Sequence, residues 1–190
     1  MDRPAPAQPD AHPAVLVAGA VAAYGEPAVA AWCADLLAGR RAPDDPRAPL
    51  LIWLAGGAAK WYLAQEMTVE RGIDYWPRVW GARGLRYAWT PAAGTDIRTG
   101  LGDPHWRVRE MCAHVAELRE LGECGDALAG VAAGDGTPRA RSAACRALGR
   151  VGEAEHAAAV RAALQDQDTR VRHTAAAALD LLRIRLDRDL

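Results

Sequence analysis

Along residues 103–118 the apolar positions fall at Val108, Met111, Cys112, Val115 and Leu118, three or four residues apart, with charged and polar residues between them. Along 166–182 they fall at Val171, Ala175, Ala178, Leu179 and Leu182. That spacing predicts amphipathic α-helices, each burying one stripe. Further upstream the pattern is shorter. Residues 14–24 and 27–38 read as two helical runs divided by Gly25, with Pro27 suited to a first helical turn. The stretch RRAPDDPRAP (40–49) is dense in breakers and predicts a loop. In 50–67 the positions Leu50, Trp53, Leu54, Ala58, Trp61 and Tyr62 again keep helical spacing. Gly56 and Gly57 interrupt it at a cost of about 1 kcal/mol each. Either a close helix crossing or a break into two helices accounts for the pair. Residues 1–13 hold four prolines among small polar residues and are expected to be a flexible tail.

The second half of the chain is self-similar. Four segments superimpose: DYWPRVWGARGLRYAW (74–89), DPHWRVREMCAHVAEL (103–118), DGTPRARSAACRALGR (135–150) and DQDTRVRHTAAAALDL (166–181). Their anchors Arg78, Arg107, Arg139 and Arg170 recur at intervals of 29, 32 and 31 residues. Each anchor is preceded four residues earlier by an aspartate (Asp74, Asp103, Asp135, Asp166) and followed by Val79, Val108, Ala140 or Val171. Two positions after the anchor stand Arg109, Arg141 and Arg172, but Trp80 in the first copy. An aspartate there is expected to cap the helix that follows. Alanine-rich stripes bury little area each, so one copy would not stand alone and stacking must supply the core. A second helix follows Gly122 and Gly152 in successive units.

The D-x-x-x-R-V-R block, with the alanine-rich helix and then RALGRVGEAEHAAAVRAAL, resembles short HEAT-like repeats of the phycobilin-lyase type, within the armadillo-type helical superfamily. The likeness covers 74–187. Tetratricopeptide and ankyrin repeats have similar periods. The chain lacks the W-x-x-L-G pattern of the first, and Thr137-Pro138 is not continued by the L-H-x-A of the second. The resemblance implies an all-α fold, a right-handed α-α superhelix built as a HEAT-like solenoid of stacked antiparallel helix pairs. Residues 14–70 are then a helical N-terminal cap or degenerate repeats. Residues 71–190 are the repeats, closed by the charged run RIRLDRDL (183–190). The implied function is a non-catalytic binding or scaffold module that holds a protein partner on a curved surface. Two enzyme classes share the architecture: lyases that attach bilin chromophores, and alkylpurine DNA glycosylases. The glycosylases are markedly basic and use a tryptophan-and-aspartate site, and no such motif maps onto this chain. A HEAT-like enzyme or nucleic-acid-binding protein is therefore the alternative.

Charge bears on that choice. The net charge of −1 is unlike that of a general nucleic-acid binder. From Arg139 onward ten arginines face seven acids, a modest local excess. A protein partner is favoured over nucleic acid. Alanine and arginine are abundant, as helix formers, but a GC-rich genome gives the same bias. At 51% hydrophobic residues the chain can bury a sizeable core. The four cysteines form no C-x-x-C pair, and Cys112 and Cys145 sit at core positions among alanines. No basic region precedes an apolar stretch at the N-terminus, and apolar runs stop well short of about 18 residues. The expectation is a cytoplasmic protein without a membrane span.

Candidate ligand-contacting residues are few. Trp76 and Trp80 lie four apart, on one helical face. With Trp89, Trp106, Tyr75 and Tyr87 they either fill the larger core of the first units or line an aromatic groove. Trp106 is the best groove candidate because it sits in a first turn. Rows of Asp and Arg at fixed register are expected to bond across the stack. If an arginine reaches a ligand, Arg109 beside Trp106 is favoured, as is Arg83, which stands where other copies have Cys112, Ala144 and Ala175. The second helices are expected to offer Asp96, Arg98, Glu123, Asp126, Glu155, His156 and Arg161 to the concave face. The five histidines show no H-E-x-x-H or comparable spacing, so neither a metal nor a cofactor is expected. No G-x-S-x-G, G-x-G-x-x-G or phosphate loop occurs, and Glu66, Glu70 and Glu110 lack a paired nucleophile. Catalysis is not expected.

Overall fold

The structure is a computed structural model and describes residues 3–187. Among these residues every regular element is a helix, and the chain divides into two compact units, 1–96 and 97–190.

In the first unit α1 (Pro13–Tyr24) and α2 (Glu26–Leu37) meet at Gly25, whose φ of +83° makes the tight turn between them. The double glycine resolves as a break. α3 (Ile52–Ala55) ends on Gly56 at φ +60°, and α4 (Ala58–Leu63) starts after Gly57. Residues 3–12, expected to be a loose tail, instead pack against this break. A Cβ on Gly56 would come 2.8 Å from the Pro9 carbonyl oxygen, and one on Gly57 would come 2.8 Å from Asp10 Oδ1. The Trp53 indole donates to the Pro4 carbonyl at 3.0 Å, fixing the segment. Residues 1 and 2 of that segment lie outside the described residues.

The first of the four similar blocks also belongs to this unit. Its helix α5 (Trp76–Gly84) packs on α2. The two backbones come close: a Cβ on Gly81 would sit 2.5 Å from the Cys33 carbonyl oxygen, and one on Gly84 would sit 2.4 Å from Cys33 Sγ. Leu36, Leu54, Trp80 and Leu85 complete the core around this crossing.

The second unit begins inside α6 (Gly94–Gly100) and holds the remaining three blocks. Their first helices are α7 (Trp106–Arg119), α9 (Pro138–Val151) and α11 (Thr169–Leu186). The second helices α8 (Gly125–Gly134) and α10 (Ala157–Ala163) each enter through a short 3-10 turn after the predicted glycine. α7, α9 and α11 pack side by side, α8 packs on α9 and α10, and α10 packs on α11. Of the stripes expected from the sequence, Val108, Cys112, Val115, Val171, Ala175, Ala178, Leu179 and Leu182 are buried, whereas Met111 is half-buried and Leu118, in the last turn of α7, is exposed. Small residues set the spacing, since a Cβ on Gly149 would stand 2.9 Å from Ala178 Cα. No helix of the described residues is long and apolar enough to cross a membrane.

Candidate functional site

The repeated aspartates do more than end a turn. Asp103, Asp135 and Asp166 each accept the backbone N–H two residues on, from His105, Thr137 and Asp168. These are Asx turns rather than the helix caps expected from the sequence. Capping falls to other side chains, such as Asp168, which accepts from the amides of Arg170 and Val171.

The remaining carboxylate oxygen is used across the stack. Arg109 Nε donates to Asp135 Oδ2 at 2.5 Å, and Arg141 Nε donates to Asp166 Oδ2 at 2.7 Å. Each of these arginines also donates backwards to the carbonyl of its own repeat's aspartate: Arg109 to Asp103 and Arg141 to Asp135, as does Arg172 to Asp166. The result is an internal ladder. Burial pushes the Asp135 carboxyl up, but the bonds from Arg109 and the Thr137 amide outweigh it and hold it below the usual carboxylate range. Asp166 is held low chiefly by Arg141. In the first block Trp80 replaces the ladder arginine, and Arg78 itself pairs with Asp74 at 3.3 Å.

The anchor arginines point elsewhere. Arg107 lies over the Trp106 ring with its guanidinium carbon 4.6 Å from the centroid, and that of Arg139, from the next repeat, lies at 5.4 Å. His105 stacks on the same indole at 6.0 Å. Arg139 also pairs with Glu110 at 2.9 Å. Trp106 is half-buried, so its ring is a cation-flanked surface feature rather than core.

The five residues singled out by sequence fall in separate places. Trp76 and Trp80 stack at 5.7 Å, and the buried Trp80 meets Tyr62 edge-on at 5.4 Å. Arg83 donates to the Leu54 carbonyl and lines a separate cavity of about 230 Å³ with Gly56, Gly57, Pro9 and Asp10. Burial lowers its pKa from the ordinary arginine value. Trp106 and Arg109 lie in the second unit.

There, Arg109 lies at one wall of an open groove of about 540 Å³. Arg98 and Thr99 flank it on the α6 side, and Ala127, Gly130, Val131 and Gly134 of α8 line the other. A Cβ added at Gly130 or Gly134 would meet nothing within 4 Å. These glycines leave the floor open instead of serving packing. The sequence reading missed them, although their spacing with Ala127 is helical. His156, expected on the ligand face, is buried. Its Nδ1 accepts the Glu153 amide at 2.8 Å, which leaves the hydrogen on Nε2, facing Asp126 Oδ1 at 3.2 Å. Gly125 provides the room, since a Cβ there would come 2.4 Å from the imidazole. No group of three or more potential metal ligands gathers among the described residues.

Residues 125–189 match the family model for HEAT repeats, over about a third of the chain. No curated protein and no solved structure matches the chain.

Proposed function

We propose that this chain, a HEAT-like repeat protein, is a non-catalytic binding module that holds a protein partner in the groove between α6 and α8. HEAT repeats generally mediate protein–protein interaction, and stacked helix pairs offer extended surfaces for it. The observation that carries the reading is the division of labour among the repeated residues. The Asp/Arg rows are consumed in bracing one repeat against the next, as Arg109 is on Asp135 and Arg141 on Asp166. The α8 face beside them carries only small side chains, Ala127, Gly130, Val131 and Gly134. A floor of that kind admits a helix or an extended segment at close backbone approach. Arg98 and Arg109 supply polar contacts at its walls.

The test uses the glycines. Gly130→Leu fills the groove while replacing a poor helix former, so the fold is expected to gain up to about 0.8 kcal/mol. Affinity capture from the native host's lysate, with and without nuclease, is run on the wild type, Gly130→Leu and Trp106→Ala. A protein retained after nuclease and lost with Gly130→Leu supports the reading. Retention on Gly130→Leu removes the groove as the site. Loss with nuclease alone moves the assignment to nucleic acid.

A further inference from the structure

We propose that the first unit binds a small organic monocarboxylate in the cavity between α2 and the 41–49 loop. The inference goes beyond the groove of the second unit, and either can fail without the other. The cavity measures about 530 Å³, the size of a small-molecule site. Its apolar wall is Ala28, Ala31, Trp32, Pro46 and Pro49, and its charged lining residues are Arg3, Asp35, Arg41 and Arg47.

Two independent observations define the ligand. The first is a pair of donors. Trp32 is 3% exposed, and its indole N–H and the Arg3 Nε–H are both buried with no hydrogen-bond acceptor among the described residues. Folded proteins pair almost all such donors, and an exception asks for an explanation. The second is the charge balance. Asp45 takes Arg41 at 2.7 Å and Arg47 at 3.1 Å. Asp35 takes Arg41 at 3.4 Å and Arg40 at 2.9 Å, and Arg40 turns its other side to Asp96. The carboxylates therefore neutralise Arg41 and Arg47. Arg3 differs: among the described residues its guanidinium donates to the neutral carbonyls of Asp45 and Pro49, at 3.3 and 3.5 Å.

Among the described residues Arg3 is the one cation beside the cavity with no carboxylate partner, and it matches one negative charge on the ligand. A carboxylate has two oxygens, so it can accept from the Arg3 guanidinium and the Trp32 indole together, and charge-assisted bonds of this kind are the strong ones. A dianion would leave a charge without a partner. The wall of Trp32, Pro46 and Pro49 suits an apolar body of aromatic size. The Pro4 carbonyl, which accepts from Trp53 at 3.0 Å and from Tyr24 at 3.4 Å, holds the segment that carries Arg3 in place.

The test reads the Trp32 indole N–H directly in a proton–nitrogen correlation spectrum of the full chain, assigned by its loss in Trp32→Phe. The probes are phenylacetate, phenylacetamide (the same body without the charge) and acetate (the charge without the body). Phenylacetate is expected to move the Trp32 resonance downfield and saturably, with the other two at least about tenfold weaker. Arg3→Ala is expected to weaken phenylacetate by about tenfold or more. Ala31→Leu, at an exposed helical position lining the cavity, fills it without touching either donor. It should abolish the response and leave the thermal midpoint unchanged. The proposal is overturned if Trp32 does not respond to millimolar phenylacetate. It is overturned too if phenylacetamide acts as strongly, or if the response survives Arg3→Ala or Ala31→Leu.

Discussion

Arg109 reaches out of its own repeat to Asp135, 2.5 Å away, and the aspartate that receives it is 1% exposed. Arg141 and Asp166 repeat the arrangement at 2.7 Å. Each bond ties a first helix to the turn that opens the next repeat, so the stack is held by polar rungs as well as by its alanine-rich core.

The rungs should not be equal. Asp135→Ala leaves the Arg109 charge largely buried and unpaired, with an expected cost of about 3 kcal/mol. Arg172→Ala should cost only about 1 kcal/mol. Arg172 donates to Asp166, Gln167 and Thr169, all within its own repeat, and none of these acceptors is a carboxylate. Urea unfolding of the two variants, compared at equal slope, measures the difference. Equal losses would mean that the carboxylates add nothing across the stack.

Acid should release the ladder. Asp135 and Asp166 are both held below the ordinary aspartate value, by Arg109 and Arg141 respectively. A depressed carboxylate contributes stability that is present above its unfolded pKa and lost as pH falls through the folded one. Their contribution should be constant from neutrality down to about pH 5 and decline below about pH 4. Thermal melts of the wild type and of Asp135→Asn/Asp166→Asn across this range test it. The double variant should be less stable at neutral pH and lose less on acidification.

Glycine-to-alanine changes should take opposite signs at Gly81 and Gly130. At Gly81 an added Cβ would stand 2.5 Å from the Cys33 carbonyl oxygen, backbone that cannot swing aside. Overpacking of that kind costs about 2 kcal/mol and outweighs the helix-propensity gain. At Gly130 nothing lies within 4 Å, so alanine should stabilise by about 0.8 kcal/mol. In melting experiments Gly81→Ala should fall by roughly 4–8 °C and Gly130→Ala should rise by roughly 2–3 °C.

Which features were legible follows from the range of the physics behind them. Helical stripes such as Val108–Cys112–Val115 are local, so apolar spacing revealed them. The Asp/Arg rows recur in register, which pointed to bonding across the stack. Their division into inward ladder arginines (109, 141) and outward anchors (107, 139) depends on side-chain direction two positions apart. The string also shows Trp80 in the ladder position but not its consequence, which is that α5 packs on α2 through Gly81 and Gly84. Burial of His156 depends on Gly125, thirty-one residues earlier. The groove was missed for the opposite reason: Gly130 and Gly134 matter because nothing touches them. Trp106 and Arg109 were singled out together, yet one is a half-buried ring between two arginines and the other a rung of the ladder.

The thiols separate packing from chemistry. Cys33, Cys112, Cys124 and Cys145 are all free and buried. Burial pushes Cys145 up to about 11 and Cys124 up to about 12, and raises Cys33 and Cys112 as well. A reactive cysteine needs the opposite, a lowered pKa and access. At pH 8 a disulfide reagent such as dithiobis-nitrobenzoate should therefore label none of the four in the folded chain and all four in denaturant. Cys33 lies under α5, against Gly84, and Cys112 and Cys145 lie in first-helix stripes of the repeat unit. Their labelling rates should then report opening of the first and second units separately, and Gly81→Ala should speed Cys33 alone. Rapid labelling of any one thiol at neutral pH in the folded wild type would reveal a nucleophile that the structure does not show, and would reopen a catalytic role.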